Sequence, residues 1–188
     1  MKHLAALALL AAAPAWAQDR PATTPTRDVD VHYRAMAGGR SVEQRSRFAV
    51  SARKIRIDTP SPGLYLIVDR GAHTMDMVSD PDRGVLEMPY NPASAVGGLA
   101  SSPGFGRGGF TRAGTDTVAG QNCTEWQTTD TAGRTVTACF TADGVLLRAR
   151  AGPNVFVEAT RVVYGPIEPA VFAVPAGYKR AAAPGPPR

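Results

Sequence analysis

The stretch Asp28-Val29-Asp30-Val31-His32-Tyr33-Arg34-Ala35 alternates Val29, Val31, Tyr33 and Ala35 with Asp28, Asp30, His32 and Arg34. Successive side chains of an extended chain point to opposite faces, so this pattern predicts a strand with one buried and one wet face. The same period continues downstream. Gln44, Ser46, Phe48 and Val50 alternate with Glu43, Arg45 and Arg47, and Ile55 and Ile57 alternate with Lys54, Arg56 and Asp58. Short strands of this kind predict an antiparallel meander.

Leu64 to Asp69 is a denser apolar run, which predicts a strand covered on both faces. Arg70-Gly71 is read as a turn, His73 to Val78 as the returning strand, Asp80 to Gly84 as a second turn, and Val85 to Met88 as the strand that pairs back. Asn91-Pro92 carries helix-start chemistry, because Asn caps free N–H groups and Pro has a helical φ, so a short helix is expected over residues 93–96. Pro103 to Gly109, rich in glycine, is expected to be a loop joining two halves of the sheet. It does not suit phosphate binding, since Thr111 onward is strand-like and not a helix.

Gln121 to Thr129 and Arg134 to Thr141 flank the turn residues Asp130-Thr131-Ala132-Gly133. Cys123 and Cys139 are each eight residues from Thr131, so a hairpin centred there sets them opposite one another at bridging distance. That register places Trp126 opposite Val136 on the face away from the cysteines; a bulge at Gly133 would shift the pairing by a residue. Redox catalysis normally uses Cys-x-x-Cys beside a helix, whereas these cysteines lie in separate strands, which favours a structural disulfide. Val145 to Ala151 and Asn154 to Tyr164 are the last long strands. A single helical turn near Pro169 to Phe172 and an extended segment over residues 174–178 follow.

The ends carry different signals. Residues 1–17 combine Lys2, the apolar stretch Leu4 to Ala13 and the small-x-small site Ala15-Trp16-Ala17, as a secretory signal peptide does, so cleavage is expected between Ala17 and Gln18. The apolar stretch is too short to span a bilayer, and the product is expected to be periplasmic or secreted and soluble. Gln18 follows the predicted cut where a lipid-anchored protein would have cysteine. Residues 18–27 read as an extended leader, 28–180 as one domain, and 181–188, with three prolines and a glycine, as a disordered tail. The net charge is +5, and arginine greatly outnumbers lysine. This balance does not by itself indicate nucleic acid, and none is expected as a partner. His32 and His73, the histidines beyond the signal segment, lie far apart, so neither a metal site nor a cofactor is predicted.

Two stretches, Leu66-Ile67-Val68-Asp69 to Met88-Pro89-Tyr90 and Gly114 through Cys123 and Cys139 to Gly177-Tyr178, resemble secreted bacterial proteins of unknown function grouped with the LolA/LolB-like superfamily of lipoprotein carriers. The resemblance covers roughly residues 28–180. It implies a mainly β fold, a single strongly curved antiparallel sheet forming a half-barrel, with one or two short helices and a concave side that shelters acyl chains. The sequence departs from the carriers in offering only the short segment after Asn91 and the turn near Pro169 where they have longer helices.

The expected function is non-catalytic: an envelope protein that holds an apolar or amphipathic ligand, lipid or lipoprotein, in the hollow of the half-barrel. Candidate lining residues are Val31, Tyr33, Phe48, Ile55, Leu66, Met75, Met77, Leu86, Met88, Trp126 and Phe156, drawn from the alternating apolar faces. The three methionines among them suit an adaptable pocket. The same residues also suit an ordinary sheet core. The alternative is a scaffold or sensor that binds another envelope protein through a sheet edge or the Gly-rich loop, with Arg40, Arg45, Arg47, Arg53, Lys54 and Arg56 available to an acidic partner. Catalysis has little support: Asp69, Asp76, Asp80 and Asp82 cluster near His73, but no nucleophile or spaced ligand set accompanies them.

Overall fold

The computed structural model describes residues 20–90, 109–130 and 132–183. Its strands are β1 (Val29–Ala37), β2 (Arg40–Ala49), β3 (Lys54–Asp58), β4 (Leu64–Asp69), β5 (Thr74–Ser79), β6 (Gly84–Pro89), β7 (Thr111–Val118), β8 (Gln121–Thr129), β9 (Thr135–Phe140), β10 (Leu146–Ala151), β11 (Asn154–Tyr164) and β12 (Lys179–Ala182). They form one twelve-stranded sheet in the order β12-β6-β5-β4-β3-β2-β1-β11-β10-β9-β8-β7. The sheet is an open, curved half-barrel. Two meanders, β1 to β6 and β7 to β11, meet where β1 pairs with β11. β6 and β7 consequently lie towards opposite margins, and the chain between them includes residues 91–108. The predicted helix after Asn91 and nearly all of the Gly-rich loop lie outside the described residues, as do residues 1–19, where the signal peptide is expected, and residues 184–188.

Alternation in β1 assigns the two faces. Val29, Val31, Tyr33 and Ala35 are all buried on the inner face, and the register carries that face across the sheet through Phe48, Ile55, Val68, Met75 and Met88. On the other side of β1 it continues through Val157, Ala149, Ala138 and Trp126. These residues belong to one large apolar cluster, which Tyr90 and Phe110 also join. The Tyr33 hydroxyl is buried there and donates a hydrogen bond to the Leu146 carbonyl at 2.9 Å. That bond satisfies a polar group which would otherwise be costly inside.

The outer face carries paired charges over β1 to β3 and an apolar patch over β4 to β6. Tyr65, Ile67, Val78 and Val85 form this second cluster with Phe172, and Ile167, Val171, Val174 and Tyr178 pack against it. The segment after β11 crosses this face as a strap. Pro169–Phe172 is one turn of 3-10 helix, and the strap ends as β12. The outer face of the dense Leu64 to Asp69 run is therefore covered, whereas on its inner face Val68 is buried but Leu64 and Leu66 are only half-buried, so the expected cover on both faces is partial.

Several expectations change. The sheet is not wholly antiparallel, because β12 runs parallel to β6. Residues 181–183 continue that pairing, with the Ala183 N–H donating to the Glu87 carbonyl at 2.8 Å, so the domain extends into what read as tail. Small residues look featureless in sequence, yet at an edge they need only backbone groups to pair. His73 is not in the returning strand. It is a turn residue with φ 58°, and β5 begins at Thr74. Of the basic stretch, Arg45 pairs with Asp30, Arg47 and Arg56 share Asp58, and Lys54 pairs with Asp69, so four of the six cations are engaged by three carboxylates within the sheet.

The cysteine hairpin exists with a shifted register. Asp130 accepts hydrogen bonds from the backbone N–H groups of Ala132 and Arg134, closing a turn centred one residue later than expected. Cys139 therefore faces Glu125 and Trp126 faces Ala138, while Val136 faces Thr128. Cys123 and Cys139 are offset by two residues on one face and are joined by a disulfide, with Cα atoms 5.4 Å apart. Trp126 still points away from the bridge. On the bridge face, Arg148 of β10 gathers Asp116, Glu125 and Glu158. That contact links β7 to β10, and β9 is buried on both faces from Val136 to Phe140.

Candidate functional site

The inner face does not stay apolar and open along its length. Val31, Tyr33, Phe48, Ile55, Met75 and Trp126 are each no more than 9% exposed and pack within the main cluster. Leu66, Met88 and Phe156 are half-buried against it. Phe156 occupies the β10–β11 irregularity between Val155 and Val157, which turns it out of the regular ladder. Met77 and Leu86 belong to neither cluster. They face one another on β5 and β6 and line an open hollow of about 540 Å³ at the β4–β6–β12 margin. The eleven predicted residues thus divide into a packed centre and a margin that no described residue covers.

The hollow is built by strand alternation and two turns. Leu64, Met77 and Leu86 project from β4, β5 and β6, and Ala181 extends the same face on β12. Pro62 and Pro81, from the turns before β4 and β6, supply rigid apolar walls. Its polar rim is Ser61, Ser79, Asp82 and Lys179. The Ser79 hydroxyl donates to Asp82 at 2.6 Å, which occupies that carboxylate within its own turn. Among the described residues neither Lys179 nor Asp82 forms an ion pair, so the rim carries one charge of each sign, with the cation on β12 and the carboxylate in the turn before β6. Leu64, Pro62, Pro81, Lys179 and Ala181 were not among the expected lining residues. Leu64 could have been found from its parity with Leu66, whereas β12 has no periodic signal.

β12 is held in place from the outer side. Arg180 reaches Asp76 and Glu87, each at 3.2 Å, and the Tyr178 hydroxyl donates to Asp80 at 2.9 Å. Arg56 donates to the Val171 carbonyl at 3.0 Å and lies 3.7 Å from the centre of the Tyr65 ring. The hydrogen bond Tyr178 gives Asp80 stabilises its protonated form and raises the phenol above its ordinary range.

The aspartates near His73 have other tasks. Asp69 accepts from the N–H groups of Gly71 and Ala72, which lowers its carboxyl below the usual range against the effect of burial. Asp76, Asp80 and Asp82 engage Arg180, Tyr178 and Ser79. Among the described residues no group of three or more His, Cys, Asp or Glu is placed to hold a metal ion. No helix among them is long and apolar enough to cross a membrane.

No protein-family model matches the chain, and no curated protein matches it in sequence. Solved structures do match in fold. An uncharacterized conserved protein from Thermus thermophilus superposes with a TM-score of 0.61 at 9% identity, covering 84% of this chain and 91% of that one. PNGF-II gives 0.56 at 13% identity, covering 84% of this chain and 31% of that one. MucB gives 0.53 at 10% identity, covering 82% of this chain and 59% of that one, and has also been solved as the Pseudomonas aeruginosa MucA/MucB complex. At these identities the likeness is one of fold alone.

Proposed function

We propose that this chain is a non-catalytic binding protein of the cell envelope that holds an apolar or amphipathic ligand in the marginal hollow lined by Leu64, Met77 and Leu86. The observation that carries the reading is the contrast along one face. The centre is filled by its own side chains, whereas the β4–β6–β12 margin leaves an apolar concavity within the size range of ligand pockets. The envelope location rests on the secretory pattern of residues 1–17 and on the disulfide, which suits an oxidising compartment. A lipid or lipoprotein is the ligand class implied by the carrier resemblance, and it would lie against the margin because the centre is occupied.

Titration of the purified protein with a fluorescent fatty acid tests this. Saturable binding that Met77→Glu and Leu86→Glu each abolish is the expected result. Binding unaffected by either variant, or none at all, would overturn the hollow as an apolar site.

The scaffold reading, in which a sheet edge binds another envelope protein, is favoured by a separate observation. β7 and β12 are edge strands without a second neighbour among the described residues. MucB, of similar fold, is known in complex with MucA.

A further inference from the structure

The edge and the hollow are adjacent parts of one surface. In the parallel ladder with β6, the Lys179 N–H donates to the Arg83 carbonyl at 2.9 Å and the Ala183 N–H to the Glu87 carbonyl at 2.8 Å. Backbone groups of alternate residues point to opposite sides of a strand in the sheet plane, so the N–H and C=O of Arg180 and Ala182 face away from β6. Side chains alternate out of that plane. Lys179 and Ala181 therefore stand on the hollow side, and Arg180 turns to Asp76 and Glu87 on the other.

We propose that β12 and the hollow together form a docking surface for an extended peptide segment of a partner protein, added as a further strand. The segment bonds to the backbone of Arg180 and Ala182, extends alternate apolar side chains past Ala181 towards Leu86 at the near side of the hollow, and sets a carboxylate beside Lys179. This rests on the hollow being the binding site and names the class of partner.

Three features select that occupant. Strand addition supplies affinity through the main chain and specificity through pockets for alternate side chains, and both requirements occur here on one surface. Of the two rim charges, Lys179 stands on the edge strand beside which the segment lies, whereas Asp82 stands in the turn before β6 and accepts from Ser79, so the complementary peptide is acidic next to Lys179. A four-residue edge whose hollow-side cation, Lys179, has no ion pair among the described residues is poor at pairing with a second copy of itself, because the two cations approach one another. A partner with side-chain anchors avoids that repulsion.

Selection from a phage-displayed library of random twelve-residue peptides tests the assignment. Enriched sequences are expected to alternate apolar residues and to carry an acidic residue. Synthetic versions should bind less tightly at high salt. N-methylation of alternate backbone nitrogens should weaken them roughly tenfold, the equivalent of one or two interstrand hydrogen bonds. Lys179→Glu should reverse the charge preference on reselection. Ala181→Lys, at an exposed position that does not threaten folding, should block binding. No enrichment, or enriched peptides indifferent to N-methylation and to both variants, would overturn the proposal. Saturable fatty-acid binding without peptide enrichment would remove this inference and leave the hollow reading standing; loss of both would remove both.

Discussion

Gly144 shows how tightly the leader is seated. A Cβ built there would stand 2.2 Å from the Thr24 carbonyl oxygen, and φ is +94°. Neither backbone has a flexible end with which to yield, so Gly144→Ala must displace residues 24–27 or distort the turn before β10. A loss of about 2 kcal/mol or more is expected in urea unfolding. The Thr26 N–H bond to the Asp143 carbonyl should open with it. Charged side chains add a pH dependence. Burial alone would raise the Asp30 carboxyl, but the Arg45 guanidinium more than offsets it and holds the group below its usual range. Asp143 is likewise lowered, burial being opposed by Thr141, Tyr164 and Arg27. A carboxyl whose folded pKa lies below its unfolded value contributes stability above the unfolded value and loses it as pH falls through the folded one. Unfolding free energy should therefore be level from about pH 7 to 5 and decline below about pH 4. Asp30→Asn should flatten part of that decline, and a curve unchanged down to pH 2 would contradict the account.

Among the elements, the β8–β9 hairpin has its cross-link offset from the cross-strand pair. The bridge spans a sequence separation of 16 residues. In the chain-entropy account such a loop is worth about 3 kcal/mol. Replacing both Cys123 and Cys139 by Ala should lower Tm by roughly 10 °C, and an unchanged melting temperature would show the bridge to be dispensable. Parity along this hairpin was readable from sequence, because alternation is local: Trp126 does point away from the cysteines. Its register was not, since that depends on how many residues the turn consumes. Asp130 decides this by accepting from both Ala132 and Arg134, and the hairpin centre moves accordingly. The same distinction applies to His73, which fits a strand by alternation but is taken into the turn by a positive φ.

At the scale of the whole molecule, two apolar clusters share one sheet, and only the smaller depends on the strap. Exchange at the amides of Lys179 and Ala183 should occur by local release of the strap, while those of Val31 and Tyr33 should require global unfolding. Phe172→Ala should speed the first pair and leave the second nearly unchanged when followed by hydrogen exchange; uniform acceleration would show that the strap belongs to the main cooperative unit. The alternating segments by themselves determined that this is a β protein and which side chains lie together on each face. They did so because alternation in an extended chain needs only neighbouring residues. Which part of the inner face fills and which stays open was decided by the tertiary structure. Closure of the centre brings residues such as Tyr33 and Leu146, 113 positions apart, into contact. The margin is completed by β12, a short strand whose place comes from β6, Asp76 and Glu87 and not from any pattern of its own.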